Sequence, residues 1–272
     1  MKNLSTGQFF GDTTKTIHLD GITLTDTEYT HDKVDWHYHE NAYFTFILQG
    51  CVIEGNKKEI YHCPAGSLLF HNWQDAHYNI KPPGFTRGFQ IELHPSWFNS
   101  LQLDFSSTEG SRNLLNPELK ILMYKIFKET KFEGSNQQLN INALLADLFG
   151  RIAVTEETFS RKIPAWVRQI REILNDSPLT NWTLRGLAHT LAIHPVHLSR
   201  GFSKYFNCTL GEYIRTIKIE RSMGMLTEEK YSLTEIALAC GFADQSHFIR
   251  TFKELNDIRP ALYRKLLLNR PC

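Results

Sequence analysis

The chain has 272 residues, 42% of them hydrophobic and 22% charged, with a formal net charge of +1. That suits one large domain or two ordinary ones with sizeable apolar cores. No run of 18 apolar residues is present, which argues against a helical membrane span, and the opening residues Met1 to Gly7 lack the apolar stretch of a secretory signal. Five scattered cysteines (Cys51, Cys63, Cys208, Cys240, Cys272) form no Cys-x-x-Cys pair. They read as reduced thiols of a cytoplasmic protein rather than a disulfide framework or zinc finger. The near-zero charge hides an asymmetry. Residues 161–272 carry 17 Lys and Arg against 10 Asp and Glu, net +7, and residues 1–160 carry 13 against 19, net −6. A basic half beside an acidic half suggests a nucleic-acid-binding module joined to something else.

Residues 1 to about 105 hold short alternating runs punctuated by Gly and Pro. Tyr43 to Leu48 ends at Gln49-Gly50, Ser67 to Phe70 follows Pro64-Ala65-Gly66, and Phe89 to Leu93 stops before Pro95. This spacing predicts an antiparallel sandwich or barrel. Residues 111 to about 154 read as helical. Asn116-Pro117 starts a helix with Pro at its first position. Leu119, Leu122, Met123, Ile126 and Phe127 then recur at helical spacing, as do Ile141, Leu144, Leu145, Leu148, Phe149 and Ile152. Such stripes serve equally as packing faces or as a dimer seam. Residues 155–163 are polar and precede Pro164, so the domain boundary is placed there, giving domains at 1–158 and 164–272.

The second half reads as helices joined by short turns. Leu184, Leu187, Ala188 and Leu191 share one helical face. Ala192-Ile193-His194 breaks it, and Pro195 restarts a helix anchored by Leu198 and Phe202. About 50 residues later the pattern returns. Ser232-Leu233-Thr234-Glu235 is a capping box, Gly241 can end the helix in a left-handed conformation, Asp244 is a natural N-cap, and Phe248 and Phe252 are the anchors. Two short helices joined by a tight turn make a helix-turn-helix. Thr209-Leu210-Gly211-Glu212 caps a linking helix between the two copies. Val196, His197, Ser199 and Arg200 lie on the open side of the first recognition helix, and Gln245, Ser246, His247 and Arg250 on that of the second. Arg pairs bidentately with guanine and Gln with adenine in the major groove. A solvated surface or a phosphate contact is the alternative for the two arginines.

Residues 164–268 resemble the AraC/XylS family of bacterial transcription factors. The resemblance rests on Ile236-Ala237-x3-Gly241-Phe242-x-Asp244-Gln245-Ser246-His247-Phe248-x-Arg250-x-Phe252-Lys253, then Pro260-x2-Tyr263-Arg264, and on Leu187-Ala188 through Leu198-Ser199-Arg200-x-Phe202. Asp257 and Asn207 stand where the family usually has Gly. Residues 15–100 resemble the cupin-like sensor barrel often joined to such domains. His37 and His39 match the cupin His-x-His pair, Tyr43 sits at the Glu position and Leu69 at the second-motif His position, while His77 lies further along. Three inward histidines can bind a divalent metal, or hydrogen-bond a small ligand or one another. With Tyr43 and Leu69 in place of two ligands, the reading is a ligand pocket of Trp36, His37, His39, Tyr43 and His77, with no metal, no cofactor and no catalytic residue assigned.

The expected fold is α+β: an N-terminal cupin-like β-barrel with a helical extension, and a C-terminal all-α domain with two helix-turn-helix units. The expected function is a cytoplasmic, sequence-specific transcription regulator and not an enzyme, responsive to a small-molecule effector in the barrel. The resemblance implies promoter DNA and RNA polymerase as partners, leaning towards an activator, with a homodimer as a further expectation. The alternatives are a metal-dependent cupin dioxygenase or isomerase, and an effector-independent DNA binder.

Overall fold

The computed structural model describes residues 2–73, 75–102, 111–132, 134–160, 164–176, 182–206 and 208–268. Ten strands come first: β1 (Lys2–Leu4), β2 (Asp12–Leu19), β3 (Ile22–Glu28), β4 (Lys33–His39), β5 (Ala42–Gln49), β6 (Cys51–Asn56), β7 (Ile60–Pro64), β8 (Leu68–His71), β9 (His77–Ile80) and β10 (Arg87–Leu93). A short helix α1 (Pro95–Ser100), a two-residue strand β11 (Arg112–Asn113) and the helices α2 (Pro117–Glu129) and α3 (Gln137–Ser160) follow. The rest is helical: α4 (Ala165–Asp176), α5 (Leu184–Thr190), α6 (Pro195–Phe206), α7 (Leu210–Leu226), α8 (Leu233–Ala239), α9 (Gln245–Asn256) and α10 (Pro260–Leu268). The α+β class expected from sequence is the one observed. The chain forms two compact units, one of residues 1–116, 126–141 and 266–272, the other of 117–125 and 142–265. The stretch 155–163 taken as a boundary falls at the end of α3, and its last three residues, with Asn207 and Cys272, lie outside the described residues.

In the first unit the strands make two sheets rather than one closed barrel. One has the order β1-β4-β9-β6-β7, the other β11-β8-β5-β10-β3-β2. The β1·β4 pair is parallel and the remaining pairs are antiparallel. The chain changes sheet between β5 and β6 at Gly50, whose φ is 77°. A Cβ there would come within 2.1 Å of the Phe85 carbonyl oxygen, so only glycine fits.

Strand alternation divides β5 between two environments. Ile47 and Leu69 of the six-stranded sheet pack with Val52 and Cys63 of the other, so the odd residues of β5 face the second sheet. Its even residues Phe44 and Phe46 are fully buried on the opposite face. On that face Phe89 of β10 meets Phe127 of α2 edge-on, with ring centroids 5.2 Å apart. A strand covered on both faces reads as a continuous apolar run, which is why Tyr43 to Leu48 shows little alternation.

The second unit is built on the anchors read from sequence. Leu187, Ala188, Leu198, Phe202 and Phe206 of the first helix pair are buried with Trp166, Val167, Ile170 and Leu174 of α4 and with Tyr213 and Ile217 of α7. Ile236, Ala237, Cys240, Phe248 and Phe252 are buried in the second pair. The capping boxes form at Thr209 and Ser232, and Asp244 accepts from the His247 amide at 2.7 Å.

Candidate functional site

The two helix-turn-helix units share their turn chemistry. In the first, Ile193 N–H donates to the Ala188 carbonyl at 2.9 Å and Ala192 N–H to the His189 carbonyl at 3.1 Å. In the second, Phe242 donates to Ala237 at 2.9 Å and Gly241 to Leu238 at 3.0 Å. These are the paired bonds that close a helix through a left-handed residue. That residue is Ala192 (φ 52°) in one copy and Gly241 (φ 75°) in the other. The offset between copies is 49 residues up to this point. It is 50 at Leu198/Phe248, Arg200/Arg250 and Phe202/Phe252, so the second turn is one residue longer. The Lys218 ammonium of α7 donates to the Gly241 carbonyl at 2.5 Å, tying the linking helix to the second turn. Sequence spacing gave no sign of this contact, because Lys218 reads as one of several exposed basic residues.

With Leu198 and Phe202 buried, α6 leaves Val196, His197, Ser199 and Arg200 exposed. With Phe248 and Phe252 buried, α9 leaves Ser246 and Arg250 exposed, while Gln245 and His247 are half-buried. The Gln245 carboxamide oxygen accepts from the Thr234 hydroxyl at 2.6 Å. A bidentate pair with adenine needs both the oxygen and the amide of Gln, so that mode requires Thr234 to let go. The His247 ring stands edge-on to Phe242, centroids 5.3 Å apart. Arg200 and Arg250 hold the same place on their helices, each two residues past a buried anchor.

The other constellation lies between the sheets of the first unit. His37 and His39 alternate on β4, and His77 of β9 sits opposite His37 in the ladder. Tyr43 and His71 face each other across β5 and β8, rings stacked at 4.3 Å. The Tyr43 hydroxyl lies 3.1 Å from His77 Nε2. Glu54 of β6 approaches His71 Nε2 at 3.5 Å, with both side chains almost fully buried. Phe9 packs on His39 and Tyr43, and Phe10 on His37.

The structure brings His37, His39, Tyr43 and His77 together, with His71 and Glu54 beside them. Trp36 is corrected. It is 39% exposed and packs on Tyr78, because the residue next to an inward-facing histidine on a strand turns to the opposite face. His71 was legible in principle, being two residues beyond the cupin-motif position at Leu69 and on the same strand face. Glu54 carried no such signal, since it lies on a different strand from every motif residue.

Burial dominates the electrostatics. It pushes His39 down to about 2, helped by the neighbouring His77 and His37, and His77 down to about 3, helped by His37. His71 and His37 fall in the same direction for the same first cause. Burial raises the Glu54 carboxyl to about 8, against a hydrogen bond from Asn79. All four imidazoles are thus uncharged near neutral pH, with lone pairs available.

Comparison with known proteins bears on the helix-turn-helix units. A family model described as a helix-turn-helix domain matches residues 187–266. YobQ of Bacillus subtilis, described as an HTH-type transcriptional regulator, is 33% identical over 236 residues, covering 85% of this chain and 90% of its own. The Msm operon regulatory protein of Streptococcus mutans is 24% identical over 277 residues, covering 92% and 96%. Among solved structures, ToxT of Vibrio cholerae is 16% identical, covering 92% of this chain and 99% of its own with a TM-score of 0.36. The likeness to YobQ runs through nearly the whole of both chains, and the repeated, doubly anchored helix-turn-helix agrees with it. The chain belongs to the AraC/XylS family of DNA-binding helix-turn-helix transcription regulators.

Proposed function

We propose that the protein reads a promoter through α6 and α9, with Arg200 and Arg250 as the principal base-contacting residues, and that a small ligand held between the sheets of the first unit sets its affinity for that DNA. The supporting observation is that two recognition helices of equal length each expose an arginine two residues past a buried anchor. Val196, His197, Ser199, Ser246 and His247 flank them as base or phosphate contacts. For Gln245 the amide is the group that reads. Activation through RNA polymerase and assembly as a homodimer complete the reading by family resemblance.

The test is binding of the full chain to its own upstream region against random DNA at two salt concentrations. Specific binding that falls steeply with salt is expected. Arg200→Ala and Arg250→Ala should each cost about 1–3 kcal/mol on the specific site and relax its sequence preference. Specificity kept intact in both variants would demote the arginines to phosphate contacts. The absence of any preference for upstream DNA, with and without candidate ligands, would overturn the regulator reading.

A further inference from the structure

The buried cluster of the first unit carries more than a polar pocket needs. Five side chains, His37, His39, Glu54, His71 and His77, are each 2% exposed or less. Their donor atoms fall into two triads that share His77: His37, His39 and His77, and Glu54, His71 and His77. Within each triad the ligating atoms lie within 4.8 Å of one another. One point therefore lies within about 2.8 Å of all three atoms of a triad, against roughly 2.0–2.2 Å for zinc bonded to imidazole or carboxylate. The remaining closure is under an ångström, within reach of small side-chain rotations.

Two of the three donors in the second triad have nothing else to do. Glu54 Oε1 and His71 Nε2 have no hydrogen-bond partner, although they lie 3.5 Å apart, and His39 Nδ1 is also unpartnered. Buried polar atoms left unpaired are uncommon and costly. A core that needed only packing would place apolar residues here.

The outer atoms of the same residues, by contrast, are held. His77 Nδ1 lies 3.1 Å from the Asp75 carbonyl and His37 Nδ1 2.9 Å from the Asp35 carbonyl, so both nitrogens donate. His71 Nδ1 lies 3.0 Å from Ser111 Oγ, whose own hydroxyl donates to the Asp75 carboxylate. Asn79 donates to the other oxygen of Glu54 at 3.3 Å. Each contact fixes a tautomer or a carboxylate so that the inward atom keeps its lone pair, which is how outer groups orient the ligands of a metal.

We propose that Glu54, His71 and His77 form a binding site for a divalent first-row transition metal, with His37 and His39 adjacent as further ligands. The donor set is imidazole with one carboxylate. That suits zinc, cobalt, iron or nickel over calcium or magnesium, which take oxygen ligands. The carboxylate is supplied by β6, not by the cupin Glu position, where Tyr43 stands. Tyr43 donates to His77 Nε2 in the metal-free protein and gives up that bond when an ion arrives. The proposal rests on the reading that the first unit holds the ligand, and it names the ligand's chemical class.

Full-length protein stripped with a chelator would be titrated with Co2+ and then Zn2+. The expected result is one equivalent of Co2+, seen by its visible d–d absorption and displaced by Zn2+, with a rise of several degrees in the melting temperature. His77→Ala, which breaks both triads, should abolish uptake. Glu54→Gln, nearly isosteric, should weaken it by at least about tenfold, and its fold is checked by the metal-free melt. His62→Ala, on an exposed histidine, should change nothing. X-ray absorption of the zinc-loaded wild type needs no variant and should show imidazole and oxygen ligation. Sulfur ligation, no stoichiometric uptake, or uptake retained in Glu54→Gln and His77→Ala would overturn the proposal. The same samples are assayed on upstream DNA. Specific DNA binding that shifts with an organic ligand in a protein taking no metal would sink the metal site and leave the regulator intact. Uptake at these residues with DNA affinity unchanged would keep the site and sink its role in sensing.

Discussion

Asp26 faces the helix-covered side of the six-stranded sheet with almost no exposure. Burial pushes its carboxyl up, but the Arg87 guanidinium, bonded through Nε and Nη2 at 2.6 Å each, and Lys131 at 3.0 Å together hold it below the usual range. A folded value depressed below the unfolded 3.8 gives stability that is present above pH 4 and is lost as pH falls through the folded value. Asp26→Asn should cost about 3–5 kcal/mol at pH 7, because it strands the Arg87 charge, and should flatten the loss of stability below pH 4. Urea unfolding at pH 7 and pH 3 checks both. Ala192 is a second residue under local constraint. Its left-handed φ of 52° is where the second copy has Gly241. Ala192→Gly should raise stability by roughly 1 kcal/mol, seen as a higher urea midpoint, and Gly241→Ala should lower it by at least as much.

At the scale of elements, the caps and anchors decide whether the recognition helices are presented at all. In α8 the Glu235 amide is 3.2 Å from Ser232 Oγ, and the Ser232 amide 2.7 Å from the Glu235 carboxylate. Ser232→Ala should therefore cost about 1 kcal/mol. Phe252 is fully buried on α9, so Phe252→Ala should cost about 3–5 kcal/mol. Exposed Arg250→Ala should stay within about 0.5 kcal/mol. Loss of DNA binding without loss of stability at Arg250, measured by circular dichroism melts beside binding curves, separates reading from scaffolding. Comparable destabilisation at both positions would sink that distinction.

For the molecule as a whole, the compact unit that holds the helix-turn-helix pair also takes in residues before Pro164. Residues 117–125 and 142–160 cluster with it. The Tyr263 hydroxyl donates to the Tyr124 carbonyl at 2.9 Å, and both rings are fully buried. Lys120 pairs with Glu220 at 3.3 Å within the same unit. A fragment starting at residue 164 removes these partners. It should lose about 1–3 kcal/mol through the Tyr263 hydroxyl alone, read as faster amide exchange in α10 than in the full chain. Equal protection in the two proteins would show that residues 117–160 contribute nothing to the unit.

The second unit was legible almost residue by residue. Caps, left-handed turns and i, i+4 anchors are local, with cause and effect falling within one or two helical turns, so Ser232, Gly241, Asp244, Phe248 and Phe252 announced their roles in the one-dimensional pattern. The first unit was legible as short strands, and His37 and His39 as a pair, because alternation is also local. The choice between two open sheets and one closed barrel was not, since sheet closure depends on pairings between strands distant in sequence. Nor was the cluster itself. Glu54, His71 and His77 meet only because β6, β8 and β9 come from two sheets that pack face to face, and no spacing along the chain encodes that meeting. Trp36 shows the reverse: chemically suited to a pocket, it was sent outward by the pleat that turned its neighbour His37 in. Sequence by itself determined where the two helix-turn-helix units lie and which side chains sit on the open side of their second helices. Tertiary packing decided which buried polar groups converge, because convergence is a property of the fold's long-range contacts.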